Sequence, residues 1–263
     1  MITLFDVPST VPGKAWSLNM WRARFSLNYK GLPYKTQWIE YPEIAPVLKS
    51  HNIGPTKYFP DGSPYYSVPA ILDIDDKTGE IKAALAESYD IAKYLDDAYP
   101  DTPRLLPDDE TQVKAVKEFS KEFINIIWLP SLYLILCKAV LAKLNPASHE
   151  HFSKARARDL HPFYGKDRLE EIPLSAEEEA EEWKKIEGCF NALEKSIKGT
   201  DEKGQWFLGD QITFADFVIG GFLIWTRKIL GEESEGWKYI KGWNDGRWVR
   251  FLDGLKEYSQ RID

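Results

Sequence analysis

At 263 residues, 43% of them hydrophobic and 29% charged, the chain is long enough for two modest domains with buried cores. Its formal charge of −7 weighs against a phosphate-backbone partner, so no nucleic acid is expected. Only two cysteines occur, Cys137 and Cys189, too far apart for a disulfide framework; with no signal-peptide pattern over residues 1–20, they point to a reducing, cytoplasmic setting.

Residues 2–7 (ITLFDV) read as a short buried strand, followed by a turn-rich loop with Pro8, Pro12 and Gly13. From Ser17 the pattern becomes helical, with Leu18, Trp21, Phe25 and Tyr29 on one face, and Gly31 and Pro33 end it. Residues 34–41 alternate as a second strand, and Pro42 opens a short helix over 42–50. After a loop over 52–67, strands at 68–74 and 80–85 flank a turn at 76–79, and a helix covers 87–99. The order is β-α-β-α-β-β-α. The helix between the first two strands requires them to be parallel, as in a thioredoxin-like fold.

Residues 101–109 read as a linker between a domain at 1–100 and an all-helical domain at 110–263. One long helical region is expected at 110–144. Within it, residues 123–137 (FINIIWLPSLYLILC) carry no charge. That run is shorter than the ~18–20 apolar residues that cross a bilayer, so it reads as a buried, Pro-kinked core helix and no membrane is expected. Residues 145–174, with Pro146, Pro162 and Pro173, read as irregular or short helix. Residues 175–198 form a charged helix in which Glu181 pairs with Lys185. Thr213 and Asp216 form a capping box that opens a nearly all-apolar helix.

Several chemistries lack their residues. No CxxC occurs and the first hundred residues hold no cysteine, which excludes a dithiol mechanism there. Neither a GxSxG elbow nor a P-loop is present. His149 and His151 sit in a polar segment without an obvious third ligand and read as solvated, so no metal is expected.

Four segments, in order, carry a family likeness. They are LFDVPSTVPGKAWSLNMWRARFSLNYKGLPY, YYSVPAILD, LAESYDIAKYLD and GDQITFADFVIGGFLIW. Together they resemble the cytosolic glutathione transferase superfamily over nearly the whole chain. The stretch KAWSLNMWRARFSLNYKGLPYK looks like its fungal etherase-related class (fungal class A), related to bacterial lignin β-etherases.

The resemblance implies an α+β thioredoxin-like domain followed by an all-α domain, glutathione as co-substrate, no metal, a homodimer, and a catalytic serine. It assigns Ser17 to the glutathione sulfur, with Asn19 assisting and Trp16 walling the site. On residue type alone Ser17 reads first as a helix cap, and it is the family resemblance that brings the sulfur contact forward. Val68 and Pro69 would meet the cysteinyl backbone of glutathione beside a cis peptide; the bland alternative is a trans proline starting a strand. Glu87 and Ser88 would take the γ-glutamyl end, or simply cap a helix. Lys49, His51 and Lys57 are candidates for the glycyl carboxylate. Trp128, Tyr133 and Trp225 either line a second pocket for small electrophilic or aromatic compounds or belong to the core. The implied activity is attack of the glutathione thiolate on small electrophilic, hydroperoxide or aromatic substrates; the alternatives are a ligandin that binds aromatic compounds with weak catalysis, or etherase-like aryl ether cleavage.

Overall fold

The computed structural model describes residues 1–197 and 204–262. Its first half holds a four-stranded sheet in the order β2-β1-β5-β6, from β1 (Ile2–Asp6), β2 (Tyr34–Trp38), β5 (Ala70–Ile74) and β6 (Ile81–Ala86). β1 pairs with β2 in parallel, with Ile2 opposite Tyr34, and with β5 antiparallel, with Ile2 opposite Asp73. All five residues of β1 are buried, as expected of a strand with both faces covered. Helices α1 (Leu18–Tyr29), α2 (Ile44–Ser50) and α3 (Ser88–Ala98) complete this α+β part. A two-stranded ribbon, β3 (Lys57–Tyr58) with β4 (Pro64–Tyr65), interrupts what the sequence presents as loop.

The second half is helical: α4 (Glu110–Ile127), α5 (Pro130–Leu141), α6 (Pro146–Tyr164), α7 (Ala176–Ser196), α8 (Phe214–Leu230), α9 (Glu235–Gly242) and α10 (Arg247–Gly254). Three expectations are corrected. The stretch 110–144 is not one kinked helix: α4 ends at Ile127, Leu129 is extended, and Pro130 starts α5 at 92° to α4. Pro130 opens a new helix because its missing N–H costs nothing in a first turn. No single helix among the described residues is long and apolar enough to cross a membrane.

Residues 145–174 are mostly regular. α6 runs nineteen residues because Pro146 opens it, Pro162 falls in its last turn, and Gly165 closes it with φ of 61°. On α7, Lys185 pairs with Glu182 and Lys184 with Glu181, three residues apart rather than four. Residue 198, the last of that predicted helix, lies outside the described residues.

α8 is the central helix. Fourteen of its seventeen residues are buried, and it packs on α1, with Phe217 stacked on Phe25 at 5.6 Å. Gly221 permits this approach, since a Cβ there would sit 2.6 Å from the Leu18 carbonyl oxygen. The N-terminus of α1, and the loop before it, are thus seated on the helical half.

Asp216 anchors α8, its carboxyl accepting from Thr213 N at 2.8 Å, Thr213 Oγ1 at 3.0 Å and Phe207 N at 2.7 Å. Complete burial pushes this carboxyl up to about 7, against the pull of those donors. The folded chain therefore holds the proton more tightly than the unfolded one. Stability contributed by Asp216 falls as pH rises from the ordinary 3.8 towards about 7. The thermal-stability advantage of the native chain over Asp216→Asn is expected to shrink across that interval in a pH series of melts. A growing advantage would contradict the assignment.

Candidate functional site

A cavity of about 1130 Å³ opens where the loop after β1 faces the helical half. Trp16, Ser17 and Asn19 line it. Trp16 is pinned: its Nε1–H donates to the Val7 carbonyl at 3.0 Å, and its ring meets Phe152 edge-on. Ser17 is 5% exposed and holds the N-cap position of α1 in extended conformation (φ −71°, ψ 137°). Its carbonyl accepts from Trp21 N at 3.0 Å, but its hydroxyl makes no capping bond. The cap role open to this residue in the sequence is therefore not the one its side chain plays.

Val68 and Pro69 line the same cavity and are joined by a cis peptide bond. Neither the N–H nor the C=O of Val68 has a hydrogen-bond partner among the described residues. A backbone donor and acceptor side by side at a cavity are an open edge for an extended peptide.

Glu87 and Ser88 complete this wall where β6 turns into α3. Glu87 has φ of 79° and ψ of 121°, a backbone conformation that L residues rarely adopt. Holding it costs about 1–3 kcal/mol, and such residues cluster at binding sites. Burial pushes the Glu87 carboxyl up, Asp90 adds to the rise, and Arg22 and Lys57 oppose it. Arg22, about one turn into α1, lies on the cavity as well, and its buried Nε–H has no partner among the described residues. Burial lowers this guanidinium to about 10 against the opposing charge of Glu87, so it stays charged at neutral pH.

The three candidates for the glycyl carboxylate stand back from the cavity. Lys49 lies over the Tyr66 ring at 5.1 Å, Lys57 lies over Tyr65 at 4.8 Å, and His51 packs against Phe5. Tyr65 and Tyr66 are themselves lining residues.

The opposite wall comes from α5, α6 and α8. Tyr133 and Trp225 are on it, whereas Trp128 lies outside and packs on Tyr133 with ring centres 5.0 Å apart. Cys137 also lines the cavity, but burial pushes its thiol up to about 12. It stays protonated near neutrality and is no nucleophile. The two histidines are not simply solvated: His149 Nε2 lies 2.9 Å from the Leu144 carbonyl, and His151 stacks on Tyr41 at 5.6 Å and faces the cavity. No group of three or more metal-ligating side chains occurs among the described residues.

Residues 16–98 match the glutathione S-transferase N-terminal domain model, and residues 115–258, more than half of the chain, match the C-terminal domain model. The chain belongs to the glutathione S-transferase family. A glutathione S-transferase-like protein of Aspergillus flavus, ustS, is 29% identical to it over 97% of this chain and 92% of that one. The solved structure of the glutathione S-transferase CsGST63524 of Ceriporiopsis subvermispora, in complex with glutathione, is 38% identical. It covers 99% of this chain and 98% of its own, with a TM-score of 0.84. Glutathione transferase GSTFuA3 of Phanerochaete chrysosporium is 34% identical with the same coverage and TM-score.

Within this transferase-family chain, all seven residues singled out from the motifs meet on one cavity. What sequence reasoning missed is the cationic lining. Arg22 had a legible signal, a charge four residues from Leu18 and three from Phe25 on the apolar face of α1. Lys154, Arg156 and Arg158 had none, because the segment carrying them did not read as a helix.

Proposed function

We propose that the chain is a serine-type glutathione transferase that holds glutathione along the Ser17, Val68 and Glu87 wall. Its thiolate attacks small electrophilic, hydroperoxide or aromatic substrates. The observation that carries this reading is a buried hydroxyl, Ser17 Oγ, set at a helix N-terminus on a cavity and spent on no capping bond. A free thiol with a pKa near ~8.5 is only a few per cent ionised at neutral pH. A hydroxyl donor and the partial positive charge of a helix N-terminus both favour the anion. With a carbon electrophile, the thiol proton leaves to solvent, sulfur bonds to the electrophilic carbon, and the leaving group departs with its electron pair; with a hydroperoxide, sulfur takes the terminal oxygen as the alkoxide leaves and is protonated, and a second glutathione condenses with the resulting sulfenic acid to give the disulfide and water.

The rest of the wall serves binding. The unpaired Val68 backbone suits the cysteinyl backbone of glutathione, as an added strand would. Glu87 takes the γ-glutamyl ammonium, while Ser88 and the first amides of α3 take its carboxylate, with Arg22 as a further cation. The fungal relatives, two of them at 34–38% identity, support placement in the fungal etherase-related class. The aromatic wall of Trp16, Tyr41, Phe152 and Trp225 favours a ligandin-like capacity for aromatic compounds beside the catalytic one. Two free cysteines suit a reducing, cytoplasmic setting, and the homodimer is proposed from the resemblance to the cytosolic transferases alone.

Glutathione titrated by calorimetry into the protein and its Glu87→Gln variant tests the binding half. Loss of one charge-assisted contact is expected to weaken binding about tenfold. Equal affinity, or no binding to the native chain, would overturn this placement.

A further inference from the structure

Ser17 closes a loop, residues 7–17, that contains no helix or strand. The middle of the loop is a left-handed turn, with φ of 77° at Gly13 and 63° at Lys14. Gly adopts that region freely, but Lys does so at a cost, and such a turn persists only where its surroundings fix it. Inside the loop, Lys14 N donates to the Val11 carbonyl at 2.8 Å, Ala15 N to the Gly13 carbonyl at 2.7 Å and Ser9 Oγ to the Lys14 carbonyl at 2.9 Å. The helical half adds more. Thr10 N donates to the Lys143 carbonyl at 2.8 Å, and Lys228 Nζ, in the last turn of α8, to the Pro12 carbonyl at 3.4 Å.

The turn itself meets a strap. After α10, a short 3₁₀ turn (Lys256–Ser259) leads residues 258–262 back onto the α+β half. Main-chain carbonyls seat them there. Asn28 Nδ2 donates to the carbonyls of Tyr258 at 2.6 Å and Arg261 at 2.9 Å, Tyr34 OH to the Arg261 carbonyl at 3.2 Å, and Thr36 Oγ1 to the Ile262 carbonyl at 2.9 Å. The half-buried Ile262 side chain is then laid on Gly13, where a Cβ would fall 2.4 Å from Ile262 Cδ1. Gly13 thus supplies both the left-handed backbone and the space that Ile262 fills.

A second route starts from the same residue. Arg24 Nη1 donates to the Ile262 carbonyl, and Arg24 Nη2 pairs with Asp6 Oδ2 at 2.7 Å. Asp6 Oδ1 accepts from Val7 N, and the Val7 carbonyl holds the indole of Trp16, the neighbour of Ser17. No residue of the strap lines the cavity, so its reach to the chemistry runs through the loop.

We infer that Ile262 is a positioning residue: seated on Gly13, it fixes the turn that sets the Ser17 hydroxyl on the cavity. This deepens the serine-type reading of the site and rests on it. Ile262→Ala removes the contact on Gly13 and keeps every main-chain bond of the strap.

The test follows thiolate absorbance against pH for bound glutathione, with steady-state kinetics and a thermal melt, in Ile262→Ala, Ile262→Leu, Ser17→Ala and the Ser17→Ala/Ile262→Ala double variant. In Ile262→Ala the bound thiol is expected to ionise about 0.5–1 pH unit higher than in the native protein. Its kcat near pH 7 is expected to fall about two- to eightfold with the thiolate fraction, and KM for glutathione to stay within about twofold. Ile262→Leu refills the space and should titrate like the native protein. The double variant should titrate like Ser17→Ala alone, because both changes act through one hydroxyl.

A merely structural side chain would lower the melting temperature of Ile262→Ala and leave the thiol titration in place. That result, failure of leucine to rescue, or shifts that add in the double variant would overturn the positioning role. The two readings fail differently. A titration moved by Ser17→Ala and unmoved by Ile262→Ala sinks the strap alone; one unmoved by Ser17→Ala sinks the serine reading, and the route from Ile262 with it.

Discussion

Ser17→Ala is expected to lower kcat/KM for a neutral electrophile near pH 7 by about tenfold or more while the variant still binds glutathione. The size follows from the thiolate fraction, which falls by about that factor when a pKa lowered by about 1–2 units returns to the free value. The split follows from geometry. Glutathione's cysteinyl backbone would be held by Val68 and its γ-glutamyl end by Glu87, Ser88 and Arg22, none of which touches the sulfur in this reading. A cap residue gives a different outcome, because replacing a capping serine by alanine costs about 0.5–2 kcal/mol of stability. Here the hydroxyl makes no cap bond, so the melting temperature should barely move. A variant that melts early and keeps its turnover would return Ser17 to a structural role. Steady-state kinetics and a thermal melt on the same preparation decide between them.

Arg24→Met is expected to be the most damaging single change to stability. Arg24 and Asp6 are both completely buried, and their ion pair is 2.7 Å long. Burial alone would lower the guanidinium, but Asp6 and Tyr34 override it and hold it charged. Its Nη1 also reaches Thr36 Oγ1 at 3.1 Å, Tyr34 OH at 3.3 Å and the carbonyl of Ile262. That last bond fastens the chain's end to the α+β half, alongside Asn28 Nδ2 donating to the Arg261 carbonyl at 2.9 Å and Arg261 Nη1 donating to Leu32 O at 2.9 Å.

Removing the cation leaves Asp6 charged in the core, at a cost of about 3–5 kcal/mol. For a chain of this size that is roughly a 10 °C fall in melting temperature. Adding Asp6→Leu to Arg24→Met should restore much of the loss, because an apolar pair replaces a buried ion pair at little cost. A single variant within about 1 kcal/mol of the native protein in urea titrations, or a double variant no better than the single, would contradict the account. The site would feel this change too: Asp6 Oδ1 accepts from Val7 N at 2.7 Å, and the Val7 carbonyl holds the Trp16 indole.

Much of this architecture is legible in the sequence, for local reasons. β1 is short and apolar, α1 shows its stripe of Leu18, Trp21, Phe25 and Tyr29, and Thr213 with Asp216 marks the start of α8. Such signals depend on neighbours in sequence. The wall proposed for glutathione was readable too, because Ser17, Val68 and Glu87 each sit at the joint between a loop and an element, where turn chemistry leaves a trace.

The opposite wall was not readable. Pro146 and Pro162 suggest a broken segment, yet one lies in the first turn of α6 and the other in its last, where a missing N–H and a lost ladder bond are cheap. With the helix unseen, His151 and Arg158, seven residues apart on one face of α6, could not be brought together, nor could Arg156 be placed beside them. Pro130 misled in the opposite sense. The uncharged run looked continuous, but its proline begins a new helix at 92° to the old one, and that corner places Tyr133 and Cys137 on the cavity.

The ultraviolet absorbance of the thiolate, followed against pH for glutathione bound to the native protein and to Ser17→Ala, tests the central claim most directly. The account predicts that bound glutathione ionises about 1–2 pH units below the free thiol value near ~8.5, and that most of this shift vanishes in Ser17→Ala. A bound thiol that titrates like free glutathione in the native protein, or an equal shift in both proteins, would show that Ser17 does not ionise it.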